Sequence, residues 1–457
     1  MKRGKPIPRG KPIPRGGPVP RGKSVPRGGP VSPRLLYADA RGNILDCPQL
    51  EAAGAAAGRW QRLAPEEWIP LPEGSELFLL PARLPVGYDT RAGRFQVLDR
   101  DPAGGGPVTA VAAFVAPAHT QLASAAYVRA ASPEETPLLP LFAYTAAGWD
   151  GSGFVAAAVR VDPDPRQDIG RFDPAEVARR TAARLKEEPG NRLLQHLGRC
   201  SLSYGCPAAR NLFLGRWEAP LPTSPSCNAR CLGCISLQEE SGVCATQDRI
   251  DFVPTPEEVC GVAVPHLRRA ARAVASFGQG CEGEPLLQWR LLEESARRVR
   301  RATSRGTLNL NTNASLPEPL VRLRDAGLDS IRASLNSCRP RYYESYYRPK
   351  GYSLADVRRA AAGFKSAGGF VSLNYFVLPG FTDEEEELEA LCAFLEECGA
   401  DLVQLRNLNI DPEWYLAALR HEPRGEPLGI LRWLSVLRER FPALRFGYYN
   451  PCLDLGA

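Results

Sequence analysis

Beyond residue 225 the chain alternates two kinds of hydrophobic pattern. Short apolar runs of period two at 273–277, 307–313, 330–335, 370–377 and 402–407 predict β-strands, and a further strand is expected before position 227. Helix signals lie between them: Thr255-Pro256-Glu257-Glu258 and Thr382-Asp383-Glu384-Glu385 each place Thr at an N-cap with Glu three residues later. Strands separated by helices predict a parallel α/β sheet. About six such units imply a partial (β/α)6, TIM-like barrel, which occupies residues 218–457.

The alternation also separates two chemistries. Leu308 and Leu310 oppose Asn309, Asn311 and Asn313; Ile331, Ala333 and Leu335 oppose Arg332, Ser334 and Asn336. Val371, Leu373 and Tyr375 oppose Ser372 and Asn374, and Val403 and Leu405 oppose Gln404 and Arg406. Helices must cover the apolar outer face of a parallel sheet, so the polar set points inward, where it needs partners or a ligand. The pattern therefore predicts a large polar small-molecule site inside the barrel.

Upstream, residues 35–217 carry strand-like runs at 77–80, 95–98, 108–115, 141–145 and 154–161, the last two flanking a turn at Trp149-Asp150-Gly151. A helix start follows, with Asp173 as N-cap, Pro174 at the first helical position and Glu176 behind it. These signals predict an α+β accessory domain without a motif that carries chemistry. Its Ala-rich patches read as packing.

Composition changes the picture at one end only. The 457 residues hold 57 Lys plus Arg against 51 Asp plus Glu, a net charge of +6. Residues 1–34 contain ten basic residues and no acidic one, in a hexapeptide repeat (GKPIPR, GKPIPR, GGPVPR, GKSVPR, GGPVSPR). The remaining 423 residues carry 47 basic and 51 acidic side chains, so the body is slightly acidic. Alternating Pro and Gly with little apolar surface predict a disordered basic tail. Solubilisation is its plainest role, with RNA, an acidic partner or a membrane surface as alternatives. No run approaches the roughly 18 apolar residues of a membrane span, and the amino terminus lacks the apolar core of a secretory signal. A cytoplasmic protein is expected, without a membrane partner, whose 13 Cys are thiols or metal ligands rather than disulfides.

Three of them stand together: Cys227-Asn-Ala-Arg-Cys231-Leu-Gly-Cys234, or C-x3-C-x2-C. Thiolates select zinc or iron–sulfur clusters. A structural zinc site is closed by four ligands, and Cys244 is available as a fourth, so a zinc-stabilised, non-catalytic binding module is one alternative. The triplet resembles the cluster loop of the radical S-adenosylmethionine (SAM) enzymes. Gly280-Cys281-Glu282-Gly283-Glu284-Pro285 is similar to that family's Gly-Gly-Glu-Pro motif, and Val377-Leu378-Pro379-Gly380-Phe381-Thr382 to the turn after its fifth strand. Two positions depart from the pattern: Gly233 stands where an aromatic residue is common, and Glu282 replaces the first Gly.

The resemblance implies that Cys227, Cys231 and Cys234 hold three irons of a 4Fe-4S cluster, with SAM on the fourth. It implies reductive cleavage of SAM to a 5'-deoxyadenosyl radical that takes hydrogen from a substrate. Gly283, Glu284 and Pro285 would line SAM, with Glu284 at its amino group and Ser334 and Asn336 near its carboxylate or ribose. Asn374, Gln404 and Arg406 would face SAM or substrate. A low-potential electron donor such as flavodoxin or ferredoxin is implied as partner. A small-molecule substrate is favoured, with peptide or RNA modification as alternatives.

Cys200 and Cys206, with Cys244, could ligate an auxiliary cluster. Cys281 reads as a packing residue or a catalytic thiol, and Cys392 as core. The four His, at 119, 196, 266 and 421, share no metal spacing. The segment Arg341-Tyr342-Tyr343-Glu344-Ser345-Tyr346-Tyr347-Arg348 mixes aromatic and basic residues as RNA-binding platforms do, but its position after a strand predicts a helix with Tyr343 and Tyr347 on one face. Since the excess charge is confined to the tail, deleting residues 1–34 is expected to leave 5'-deoxyadenosine release from SAM unchanged. Loss of that release would give the tail a catalytic role.

Overall fold

The computed structural model describes residues 32–239 and 241–453. The basic repeat lies outside the described residues as far as position 31, and the first strand already opens at Arg34. A truncation that spares this strand therefore ends at residue 31. Packing divides the chain into two units: Met1–Arg160 with Val377–Glu385 and Asn407–Leu434, and Val161–Phe376 with Glu386–Arg406 and Ser435–Ala457. Among the described residues no helix is long and apolar enough to cross a membrane.

The first unit is built on a 13-stranded sheet. Small side chains fill one of its cores, with Ala38, Ala113, Ala147, Ala156 and Ala158 packed around Leu36 and Val111. The Ala-rich patches thus pack between strands. The expected turn forms: Trp149 pairs with Phe154, and the Asp150 carboxylate accepts the N–H groups of Ser152 and Gly153. Later segments of the chain are tied into this unit. Ala57 N–H donates to the Pro379 carbonyl at 2.8 Å, Gln121 Nε2 to the Val377 carbonyl, and Asn407 Nδ2 to the His119 carbonyl. At Gly380, with φ at +86°, a Cβ would stand 2.3 Å from the Ala56 carbonyl carbon, so only glycine allows the approach. Thr382 does not cap a helix here. Its hydroxyl accepts the Leu378 N–H, Asp383 accepts those of Gly380 and Gly429, and the helix begins later, at Glu385.

The second unit holds a seven-stranded sheet in sequence order: β1 (Glu218–Leu221), β2 (Val274–Phe277), β3 (Thr307–Thr312), β4 (Ser330–Leu335), β5 (Phe370–Val377), β6 (Leu402–Asn407) and β7 (Arg445–Gly447). The pairings β1–β2, β2–β3, β3–β4, β4–β5 and β6–β7 are parallel, with helices between strands. This is the α/β, partial-barrel topology that the periodicity predicts, extended by a short seventh strand that gives no comparable sequence signal. The helices Pro174–Glu187, Arg192–Leu202 and Pro207–Phe213 group with this sheet. The capping box at Thr255 forms as expected and starts the helix Pro256–Arg269.

The outer face of the strands is closed: Leu308, Leu310, Ile331, Ala333, Val371 and Leu373 are fully buried. The inner face carries a connected polar network. Glu218 accepts from Ser276 Oγ (2.6 Å) and Asn450 Nδ2 (2.8 Å), Asn309 accepts from Ser330 Oγ, and Gln404 donates to Asn450 and accepts from Arg332. A second buried node fixes the turn after β4. Glu387, wholly shielded from solvent, accepts from Ser337 Oγ, Cys338 N, Arg339 Nε and Tyr375 Oη at 2.5–2.8 Å. Removing one partner from such a buried charged network costs about 3–5 kcal/mol. Glu387→Ala is therefore expected to lower the urea unfolding free energy by about that amount, and a change under about 1 kcal/mol would mean that the turn does not depend on it.

Candidate functional site

The chemistry-bearing loops leave the carboxyl ends of β1 to β4, the face on which barrel sites are built. The loop after β1 contains the three cysteines. Its backbone is held from one side by the helix Pro340–Tyr347: Arg230 N–H donates to the Tyr347 carbonyl (2.9 Å) and Leu232 N–H to that of Tyr346 (3.0 Å). Lys350 N–H donates to the Asn228 carbonyl. All four tyrosines of that helix are buried, and the Tyr343 and Tyr347 rings lie 4.6 Å apart. The aromatic segment is thus a floor for the cysteine loop, which removes the basis for reading it as an RNA platform.

From the other side the loop is laced to the segment after β2. Gly283 N–H donates to the Ser224 carbonyl (2.7 Å) and Glu284 N–H to that of Ser226 (2.8 Å). A Cβ on residue 283 would lie 2.1 Å from the Ser226 oxygen, so the approach requires glycine. Glu282, the departure from the expected motif, turns its carboxylate back on the fold. It accepts the N–H groups of Thr223, Ser224 and Gln279 at 2.7–3.0 Å.

Glu284 is also buried and accepts from Thr312 Oγ1, Leu286 N and Asn313 N at 2.5–2.9 Å. A carboxylate offers about four lone-pair sites, so capacity for one more donor remains. Burial pushes its carboxyl up to about 7. Pro285 opens a short 3-10 helix that Glu284 caps. Asn313 Nδ2 donates in turn to Asn228 Oδ1, joining the loop after β3 to the cysteine loop. Asn336, just past β4, is buried and donates to the Tyr342 carbonyl, whereas Ser334 is half-buried on β4 opposite Asn374.

All three cysteines are partly buried. Burial, with the Glu284 carboxylate second, pushes the Cys227 thiol up to about 11, and burial likewise raises the Cys231 thiol well above its ordinary value. The compensating cation is Arg249, whose Nη2 lies 3.4 Å from Cys234 Sγ while its Nε bonds Ser236. Nothing in the local sequence marks Arg249 or Glu218; the fold alone places them. Among the described residues, the group whose ligand atoms all lie within 4.8 Å of one another is His196, Cys200 and Cys281. The cysteine triplet does not form such a group with Cys244, which is exposed. Three thiols spread along a loop beside an arginine suit a centre larger than one zinc ion.

On the inner face of β4 to β6, four buried polar atoms have no hydrogen-bond partner: Arg332 Nε, Ser372 Oγ, Asn374 Oδ1 and Arg406 Nε. Burial and the neighbouring Arg406 pull the Arg332 guanidinium down to about 9. Arg406 stacks over the Tyr448 ring at 4.0 Å. Of the histidines, His266 bonds the Trp217 carbonyl and His421 bonds Glu384, both packing roles, whereas His196 lies beside Cys200.

Residues 221–392 match the family model described as the radical SAM superfamily. The chain carries a radical SAM domain over those residues. Members of the superfamily use a 4Fe-4S cluster and SAM, and this domain has residues that fit both: the three thiols, the Gly283 approach and the remaining acceptor site on Glu284. A GTP 3',8-cyclase from Aquifex aeolicus (strain VF5) is 28% identical over 177 residues, 38% of this chain and 52% of that protein. The chain thus spans about half the length of the curated relative it matches. Solved structures with a likeness include methylornithine synthase (14% identity, TM-score 0.36, 60% of this chain and 74% of that one). A radical SAM methyltransferase from Sphaerobacter thermophilus is another (18%, 0.36, 51% and 66%).

Burial likewise pushes the Glu282 carboxyl up to about 7 from 4.5. Because the folded value is the higher, the carboxyl's contribution to stability is complete below about 4.5 and is lost as pH rises through about 7. The urea midpoint of the metal-free radical SAM chain is expected to fall across that window. Glu282→Gln should flatten the fall while lowering stability at acid pH, because one of its N–H partners loses its acceptor. An undiminished fall in the variant would exclude Glu282 as the source.

Proposed function

We propose that the chain cleaves SAM reductively at a cluster held by Cys227, Cys231 and Cys234, and that its substrate is an anionic small molecule lying against β4 to β6. Support for the first part comes from the lacing of the two motif loops through Ser224, Ser226, Gly283 and Glu284. Support for the second comes from Arg332 and Arg406, whose buried Nε atoms have no hydrogen-bond partner. The Arg406 charge disfavours the charged form of Arg332, and an anion bound by both relieves that cost.

When bound, the cluster and SAM supply one-electron cleavage of a sulfonium C–S bond, releasing methionine and a 5'-deoxyadenosyl radical. The chain's own residues bind and orient. Glu284 accepts from the SAM ammonium with its remaining lone pair, and Gly283 and Pro285 form the wall beside it. Ser334 and Asn336 stand on the next strand for the carboxylate or ribose. Arg249 balances the negative charge of the thiolates. Arg332 and Arg406 hold the substrate anion, with Ser372 and Asn374 as further polar contacts. The packed apolar outer face and the tyrosine floor keep water out, which protects a radical from side reactions. A low-potential flavodoxin or ferredoxin as reductant, and a cytoplasmic location, accompany this reading.

GTP, named in the Aquifex relative, is an anion of this class and the first compound to test. Anaerobically reconstituted protein is expected to be brown, to change its reduced-cluster signal on adding SAM, and to release 5'-deoxyadenosine with dithionite. Cys→Ala at 227, 231 or 234 should abolish all three. Losing one charged hydrogen bond costs about 1.5–3 kcal/mol, so Arg332→Gln and Arg406→Gln should each weaken substrate binding about 10- to 150-fold. Colourless protein carrying zinc on the triplet, without SAM cleavage, would sink the first part. Wild-type affinity for every anionic ligand in the arginine variants would sink the second.

A further inference from the structure

Among the described residues, His196, Cys200 and Cys281 form a buried group of metal-binding side chains outside the cysteine triplet. His196 and Cys200 are four residues apart on the helix Arg192–Leu202, so one turn presents both on the same face. Cys281 comes from the segment after β2, immediately before Glu282, Gly283 and Glu284. The ligand atoms of the three residues all lie within 4.8 Å of one another, and Cys200 Sγ is 3.5 Å from His196 Nε2. All three are buried, at 6%, 2% and 5% exposure. Cys206 packs against the same cluster, and its N–H bonds the Cys200 carbonyl at 3.0 Å.

We propose that His196, Cys200 and Cys281 bind a single zinc ion, with Cys206 as the fourth ligand. A tetrahedral ion with Zn–S near 2.3 Å and Zn–N near 2.0 Å sets its donors about 3.5–3.8 Å apart, which is the spacing of Cys200 and His196. The donors of a multi-iron cluster stand further apart, so this group suits one ion. The donor set of soft thiolates and imidazole selects zinc among abundant divalent ions.

Binding is balanced as Zn2+ plus three thiols giving a zinc trithiolate and three protons, with neutral His196 as the fourth donor. The bond to Cys281 would tether the helix Arg192–Leu202 to the loop that carries Gly283 and Glu284. The ion's role is therefore to hold that loop, and no part of it depends on SAM cleavage.

The test uses the full chain with Cys227, Cys231 and Cys234 all changed to Ala, so that the iron–sulfur centre is removed. Purified without chelator, it is expected to contain one zinc per chain, with sulfur and imidazole ligation in the X-ray absorption spectrum. Cobalt substitution should give thiolate charge-transfer bands. Adding Cys200→Ser, Cys281→Ser or His196→Ala should lower zinc to background. In case those variants fail to fold, alkylation of the unaltered chain gives an independent reading: Cys200 and Cys281 should react only after a zinc chelator is added. The site is excluded by folded triple variant that takes up neither Zn2+ nor Co2+, by zinc retained when Cys200 and Cys281 are both Ser, or by a Cys200–Cys281 disulfide in non-reducing peptide maps. Because the triple variant cannot bear the cluster, failure here leaves the SAM reading standing, and failure of SAM cleavage leaves the zinc result intact.

Discussion

The contact between the backbone before Cys227 and the backbone at Gly283 governs the arrangement of this site. Two hydrogen bonds, Gly283 to Ser224 and Glu284 to Ser226, bring a thiol-bearing loop and a carboxylate-bearing loop into one surface. The absence of a side chain at 283 permits it. Glu282 adds three further N–H contacts to the same seam, at the expense of burying a carboxylate. The residue that departs from the family pattern is therefore a brace between the segment after β2 and the start of the cysteine loop.

A second constraint comes from the inner face of the sheet. A core of asparagine, serine, glutamate and arginine holds together only if its donors and acceptors meet. From Glu218 through Ser276, Asn309 and Ser330 they do, deep in the sheet. Nearer the functional loops the network opens, leaving Arg332, Ser372, Asn374 and Arg406 with unbonded polar atoms. The same strands thus satisfy their polar groups at one end and leave several unbonded at the other.

The first unit also takes in segments from late in the chain. The turn after β5 and the segment after β6 take their backbone partners from strands and turns of the amino-terminal sheet: Ala57 for Pro379, Gln121 for Val377, His119 for Asn407. Within this unit the ion pair of Arg83 with Asp411, both 1% exposed, joins positions far apart in sequence. Thr382 and Asp383 are drawn into turn contacts by this environment, which explains why a local capping signal failed there.

Local order was legible in the sequence because it rests on short-range rules. Period-two alternation placed β3 to β6 to within a residue, the Thr255 capping box placed a helix, and the cysteine triplet with the Glu-Gly-Glu-Pro segment carried the family resemblance. The polar inner face was also visible, since strand alternation fixes which side chains share a side. What tertiary structure alone decided was the meeting of residues far apart in the chain. Arg249 reaches Cys234 across a loop with no regular pattern, the tyrosine helix becomes a floor, and Cys281 joins His196 and Cys200 of one helix from a separate segment. Such contacts have no period to detect; they arise when packing closes the distance, and only then do a thiol, an imidazole or a guanidinium acquire the neighbours that set their chemistry.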